Sequence, residues 1–309
     1  MLTSLPLKTE HWTQISTVCG WQALRMNLNT FKRHKVLGDK AAVKAIAKRL
    51  KDKEEVERSR VFPYQILTAY KYAEGMPHEI TEALQDVLEM SVDNVPQFDG
   101  KVYVFVDVSG SMSHPMTGVR EGATSKIRCV DVAGLMASVV LRRYRDATVL
   151  AFDTQVHHPN LNSRDSIATN AMTLAKYGGG GTNCSLPLAE LNSQQAKGDL
   201  CIYISDYESW VDSIRYGLHG GSATATMAEW KKFKSRNPDA KLVCIDLTPQ
   251  TTVQAKERAD ILNVGGFSDK VFDIVTLFAH GKLTPEHWVG EIEKVDISGV
   301  EKRAISSAS

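Results

Sequence analysis

The sequence predicts an α/β chain: a doubly wound, mainly parallel sheet preceded by an all-α segment. Three observations carry that expectation. Residues 1–95 place their apolar side chains at helical spacing and contain no strand pattern. From residue 101 onward, short runs rich in Val, Ile, Tyr and Phe alternate with helical stretches, the order that builds a parallel sheet covered on both faces. The first of those runs, Lys101 to Val106, passes at once into Asp107-x-Ser109-x-Ser111. That puts small oxygen-bearing side chains at the carboxyl end of a strand, where open sheets of this kind bind ligands.

The elements follow in order. Helices are expected at His11 to Val18, Trp21 to Arg33, Asp39 to Lys53, Pro63 to Ala73 and Pro77 to Val92. Pro63 and Pro77 suit a first helical turn, where a missing N–H costs nothing, and Gly38 and Gly75 are candidate helix stops. In the last helix Ile80, Leu84, Val87 and Leu88 share one face. Val95 to Gly100 reads as a linker, which divides the chain into 1–95 and 96–309. Beyond it, strands are expected at 101–107, 147–152, 199–205 and 241–246. Helices are expected at 125–145, capped at Thr124 or Ser125, and at 165–176, 185–196, 223–236, 268–280 and 284–293.

Three segments converge on the carboxyl end of that sheet. Asp107-x-Ser109-x-Ser111 is the first. The second is Gly178 to Gly181 followed by Thr182 and Asn183, a flexible loop that brings Thr182 toward a ligand. The third is Ile204-Ser205-Asp206, again an apolar strand ending in an acid. Taken singly, each has a plainer reading as a turn or a helix cap. Together, two carboxylates and three hydroxyls make an oxygen cage suited to a hard cation such as Mg²⁺.

The charge is nearly balanced, 37 Lys/Arg against 36 Asp/Glu, which excludes a molecule that binds polyanions over its whole surface. It is unevenly spread. Residues 1–60 carry 13 basic and 6 acidic residues, a net of +7, and the remainder carries −6. Lys44, Lys48, Lys51 and Arg58 stand near Glu54, Glu55 and Glu57, so the excess reads either as a polyanion-facing surface or as a solvated helix face. The five cysteines, Cys19, Cys129, Cys184, Cys201 and Cys244, form no Cys-x-x-Cys pair. Free thiols in apolar contexts fit a reducing compartment. No stretch approaches a membrane span, and the first residues lack a basic leader with a long apolar core. The expected location is the cytoplasm.

Asp107-x-Ser109-x-Ser111, Thr182 in its Gly-Gly-Thr loop and Asp206 at a strand end resemble the metal-ion-dependent adhesion site of the von Willebrand factor A domain, a Rossmann-like fold. The resemblance implies Mg²⁺ (or Mn²⁺) held by Ser109, Ser111 and Thr182, with Asp107 and Asp206 acting through water. It also implies an open position for a partner's carboxylate. The strings Gly20 to Phe31 and Arg60 to Leu67 resemble the TROVE module of the Ro autoantigen family, whose HEAT-like helices lead into an A domain. Together the two resemblances cover about residues 9–295. Only the C-terminal part of the helical module is matched, because residues 1–95 are fewer than a full ring of that family requires.

The family resemblance implies a ribonucleoprotein component that binds small noncoding RNA, Y RNA-like or misfolded. The alternative is a metal-dependent protein-interaction module without RNA. Candidate RNA contacts are the run Lys32, Arg33, His34 and Lys35, with Arg25 on the preceding helix. The plainer readings are a cationic helix end for the run and a core ion pair for Arg25. Tyr207 and Trp210 are candidates for stacking on an unpaired base, or for packing over the sheet edge.

An enzyme is not expected. Ser109 and Ser111 lack the Gly-x-Ser-x-Gly frame of a nucleophile elbow, and the glycine run leads into Thr182 without a phosphate-loop lysine. His157 and His158, near a plausible edge strand, have no obvious carboxylate partner in the sequence.

Overall fold

The computed structural model describes residues 7–116, 127–144, 146–206, 225–248, 258–267 and 270–283. The helical segment runs α1 (Thr9–Val18), α2 (Trp21–Met26), α3 (Leu28–Arg33), α4 (Lys40–Leu50), α5 (Lys53–Ser59), α6 (Pro63–Lys71) and α7 (His78–Ser91). Two helices expected to be continuous are broken. Trp21 to Arg33 divides at Asn27, which leaves helical geometry at φ −98°, ψ 10° and turns its side-chain amide back to the Ala23 carbonyl at 2.8 Å. Asp39 to Lys53 divides at Asp52, whose carboxylate accepts from the Glu55 N–H at 3.0 Å and caps a new helix. Asp39 caps α4 in the same way, through the Ala41 N–H at 2.9 Å. In both breaks a short polar side chain competes with the main chain for its hydrogen bonds. Pro63 opens α6 as expected, whereas Pro77 sits one residue outside α7 at its cap.

The sheet contains β1 (Val102–Asp107), β2 (Ala147–Phe152), β3 (Val156–His157), β4 (Leu200–Ser205), β5 (Lys241–Asp246) and β6 (Ile261–Gly265). Its order is β3-β2-β1-β4-β5-β6. All neighbours are parallel except β3, which pairs antiparallel with β2. The four strands read from the sequence lie where they are expected. Strand β6 goes unread there, because it is short and only Ile261 in it is buried. The covering helices are α8 (Cys129–Arg143), α9 (Ile167–Leu174), α10 (Leu186–Ser193), α11 (Ala225–Arg236) and α12 (Val271–Ala279). Each lies inside its expected stretch. The caps expected at Thr124 or Ser125 and the helix expected at 284–293 lie outside the described residues.

All six residues of β1 are buried. Val102, Val104 and Val106 face one apolar cluster with α8, and Tyr103 and Phe105 face another with Tyr203, Trp230 and Phe233. The first cluster does not stop at the sheet domain. It runs on through Leu88, Leu84 and Ile66 to Phe31 and Trp21, so the helical segment and one face of the sheet share a single core.

The stretch 95–100 is therefore no loose tether. Val95 is fully buried, and the Phe98 ring packs against Tyr144 and His280 at 6.3 and 5.4 Å. Polar contacts pin the same seam. Arg143 donates to the carbonyls of Val95 and Asp93 at 2.7 and 3.3 Å. Lys71 on α6 pairs with Asp131 on α8 at 3.3 Å. Burial alone would raise the Asp131 carboxyl, but its bonds from Arg128 and the nearby Lys71 charge outweigh that and hold it below the ordinary range.

Glu89 on α7 joins two helices of the sheet domain at once. It pairs with Arg142 of α8 at 2.8 Å and accepts from the Ile167 N–H, the first residue of α9, at 2.6 Å. It thus caps one helix and tethers another across the seam. Replacing Glu89 by Ala is expected to lower unfolding free energy by about 1–2 kcal/mol. The measurement is urea denaturation followed by circular dichroism, with Glu89→Gln, which keeps the acceptor, losing less.

Candidate functional site

The candidate centre forms where β1 and β4 end. Asp107, the last residue of β1, is fully buried. One carboxylate oxygen accepts from the Ser109 N–H at 2.8 Å and the other from the Ser205 hydroxyl at 2.8 Å. The first bond turns the chain sharply, as Asx turns do, and sets Ser109 and Ser111 side by side with their hydroxyl oxygens 3.1 Å apart. Ser109 is buried, Ser111 half-buried, and Asp206, next to Ser205, buried.

The glycine loop is fastened to this turn. Gly110 donates its N–H to the Gly180 carbonyl at 3.0 Å. Gly178 has φ +122°, and a Cβ there would lie 2.0 Å from the Val108 carbonyl oxygen, so no other residue fits without moving the backbone. Half-buried Thr182 follows directly, and Asn183 donates to the Asp153 carbonyl at 2.9 Å. The structure thus brings the loops carrying Asp107, Ser109, Ser111, Thr182 and Asp206 to one edge of the sheet.

Three residues in this region have no role in the sequence reading. Ser205 holds Asp107 from the neighbouring strand. Asp153 follows β2 and Asp246 ends β5; both are buried, and they accept from the N–H two residues on, at Gln155 and Thr248, each at 3.0 Å. The signal was present: an apolar run closing on Asp recurs at 107, 153, 206 and 246. Asp153 also accepts from His157 at 3.1 Å, and His158 pairs with Glu190 at 3.1 Å. Both histidines therefore have carboxylate partners that the sequence reading does not find. Burial would raise Asp153, but the Gln155 N–H and His157 outweigh it and hold its carboxyl below the ordinary range.

The electrostatics of the edge are negative. Burial, reinforced by the charge of Asp206, raises Asp246 from 3.8 to about 6. At the first residue of α8, burial and the charges of Asp206, Asp246 and Asp107 push the Cys129 thiol up to about 12. Such a field favours a cation, and the donors on offer are hard oxygens, which suits Mg²⁺ or Mn²⁺ rather than a thiolate- or imidazole-seeking ion. Among the described residues no three His, Cys, Asp or Glu side chains converge as a metal cluster. The candidate set has two carboxylates and three hydroxyls, so it falls outside that pattern by composition.

The candidate RNA contacts lie on the helical segment. Arg25 is committed there: its guanidinium donates to the Gln65 carbonyl at 3.0 Å and to Gln22 Oε1 at 3.0 and 3.3 Å, tying α2 to α6. Lys32 holds the Glu74 carbonyl at 3.0 Å. The His34 ring stacks on Trp12 at 4.7 Å with 17° between planes. Arg33 and Lys35 are exposed, and Arg33 makes a 3.4 Å contact with Thr30 Oγ1. Tyr207 and Trp210 lie outside the described residues.

Two outcomes are expected at this edge. Gly178→Ala forces a backbone shift and is expected to destabilise the fold by about 3 kcal/mol, read by thermal unfolding. Asp246 binds its proton more tightly folded than unfolded, so its penalty is absent below pH 3.8 and grows as pH rises to about 6. Asp246→Asn, assayed with EDTA present, is expected to stabilise by about 2 kcal/mol at pH 7.5 and to converge with the parent as pH falls toward 4.

Comparison with known proteins agrees with this architecture. Residues 101–279 match the model of the Ro60 vWA domain, and residues 8–163 match that of the TROVE domain. The RNA-binding protein RO60 of Deinococcus radiodurans is 26% identical over 274 residues, covering 84% of this chain and 49% of that protein. The protein of the same name from Caenorhabditis elegans is 26% identical over 259 residues, covering 79% and 38%. The chain thus spans about half or less of these relatives. The crystal structure of the D. radiodurans RO (RSR) protein superposes with a TM-score of 0.71 over 89% of this chain and 56% of that one, at 23% identity, which establishes the shared fold. With each of the two family models matching at least half its length, this chain belongs to the Ro60 family, as a TROVE helical segment packed onto a Ro60 von Willebrand factor A domain.

Proposed function

We propose that the chain is an RNA-binding ribonucleoprotein component, taking small noncoding or misfolded RNA, whose A domain engages a partner through Mg²⁺. The observation that carries the RNA half is the extent of the kinship: it runs through both modules, and the relatives sharing it are named RNA-binding proteins. The net charge of +7 over residues 1–60 supports a phosphate-facing helical segment.

For the A domain, the supporting observation is the hydroxyl pair of Ser109 and Ser111 beside a fully buried Asp107. In this reading Ser109, Ser111 and Thr182 hold the ion, and Asp107 and Asp206 orient water around it. The ion would supply an open coordination position that accepts a carboxylate of a protein partner. Asp107 itself is kept in place by Ser205 and by the Ser109 N–H. No hydrolytic role is proposed: among the described residues no histidine ring is hydrogen-bonded to Ser109 or Ser111, whose hydroxyls face each other. The buried free thiols of Cys129, Cys184, Cys201 and Cys244 support a reducing compartment such as the cytoplasm.

Two measurements test the reading. Ultraviolet crosslinking in cells followed by sequencing is expected to recover small RNA with this chain. Recovery at background level would favour the protein-interaction module instead. Calorimetric titration with Mg²⁺ is expected to give binding by the parent and none by Asp107→Ala, and equal binding by both would remove the proposed centre.

A further inference from the structure

We propose that the exposed face of α4, continued by Lys35 and Arg33, is a track for the phosphodiester backbone of RNA, read without regard to base sequence. The proposal rests on the RNA-binding reading and gives it a location.

Lys40, Lys44 and Lys48 recur every fourth residue along α4, which places them on one face at steps of about 6 Å. All three are exposed. Among the described residues none of their side chains has a hydrogen-bond or ion-pair partner. Their apparent neutralisation in the sequence does not survive folding. The acids that follow belong to α5, a separate helix started by Asp52. There Glu55 pairs with Arg49 and Glu57 with Lys53, while Lys51 is taken by Asp86 of α7. Asp39, the acid nearest the start of the track, is occupied as the cap of α4.

The track extends past the helix start. The single turn Val36–Gly38 joins Lys35 to Asp39, with the Gly38 N–H on the Lys35 carbonyl at 3.1 Å. Lys35 is exposed and next to exposed Arg33. Among the described residues Arg33, Lys35, Lys40, Lys44 and Lys48 thus have no acid paired to them, in a chain whose formal net charge is only +1.

Fold stability does not ask for this pattern. Lys40 sits at the positive end of the α4 dipole, and the first turn holds no acid. Like charges four apart on a helix repel. Lys35 adopts φ +61°, a left-handed conformation that suits glycine better. Local preferences broken at several neighbouring positions without a structural return mark a surface kept for a ligand. Lysines spaced along one helix face fit a chain of phosphates better than they fit base edges, and the rings of His34 and Trp12 are already stacked on each other.

The test uses the full chain and fluorescein-labelled single-stranded RNAs of two unrelated sequences, with affinity measured by anisotropy across a series of KCl concentrations. The variants are the triple Lys40→Gln/Lys44→Gln/Lys48→Gln and the single Lys35→Gly, which removes a charge while relaxing the backbone. The triple variant is expected to weaken binding of both RNAs tenfold or more at low salt. It should also make the slope of log K against log salt shallower by about 2, since each single-strand phosphate contact contributes about 0.7. Lys35→Gly is expected to make the slope shallower by about 0.7. Both variants should melt no lower than the parent. If the parent binds and the triple variant matches it in affinity and slope, the track is wrong and the RNA reading stands. If the parent itself fails to bind either RNA at low salt, the RNA reading falls and the track with it.

Discussion

Everything in this molecule hangs on a central strand that must be dry on both sides. Each of the six residues of β1 is buried, with three valines facing one way and two aromatic rings the other. A sheet with such a strand at its centre needs helices on both faces. One face is covered by α10 and α11. The other is covered by α8, which is backed by α6 and α9, with α7 packed against both of those. The helical segment therefore completes the packing of the A domain rather than merely preceding it. It also fixes the start of the carboxylate-and-hydroxyl edge, since Asp107 is the last residue of that same strand.

The edge has a common construction. Apolar strands close on Asp107, Asp153 and Asp246, and in each case the carboxylate turns back to the N–H two residues on. That bond alone gives every one of these aspartates a structural occupation. What separates Asp107 from the other two is its neighbourhood. Its second oxygen is held by a hydroxyl from the adjacent strand, and the turn it shapes presents two further hydroxyls. Asp153 instead braces the glycine loop: a Cβ at Gly180 would come within 3.0 Å of its oxygen. Asp246 adds negative charge beside Asp206. A dication is one of the few occupants that would relieve the resulting field without a proton.

How much of this was legible depended on whether the governing interaction is local in sequence. The four strands buried on both faces read correctly, because continuous apolar runs leave no choice of face. The breaks at Asn27 and Asp52 did not, because a single side chain competing for a main-chain bond leaves no mark on periodicity. Val95 to Gly100 reads as a linker in the sequence, yet Val95 and Phe98 are buried in a seam formed by residues as distant as His280. The motif carrying Asp107, Ser109 and Ser111 was visible because its three residues are adjacent in the chain. Ser205 was passed over because its partner lies 98 residues away. The charges of the helical segment were visible one by one, but which lysines would keep a partner was decided only when Glu55 and Glu57 folded onto a helix of their own.

The shared core bears on how such a protein can change. The TROVE match extends to residue 163 and the Ro60 vWA match begins at 101, so the two descriptions claim β1, α8, β2 and β3 in common. That overlap is physical: Trp21 and Val104 belong to one apolar cluster. An A domain brought in by recombination would arrive with an α8 whose outer face fits some other neighbour. It would have to match the apolar relief of α6 and α7 and the reach of Glu89 in a single event. The two modules therefore constrain each other along the seam, and their surfaces are free to diverge only where they do not touch.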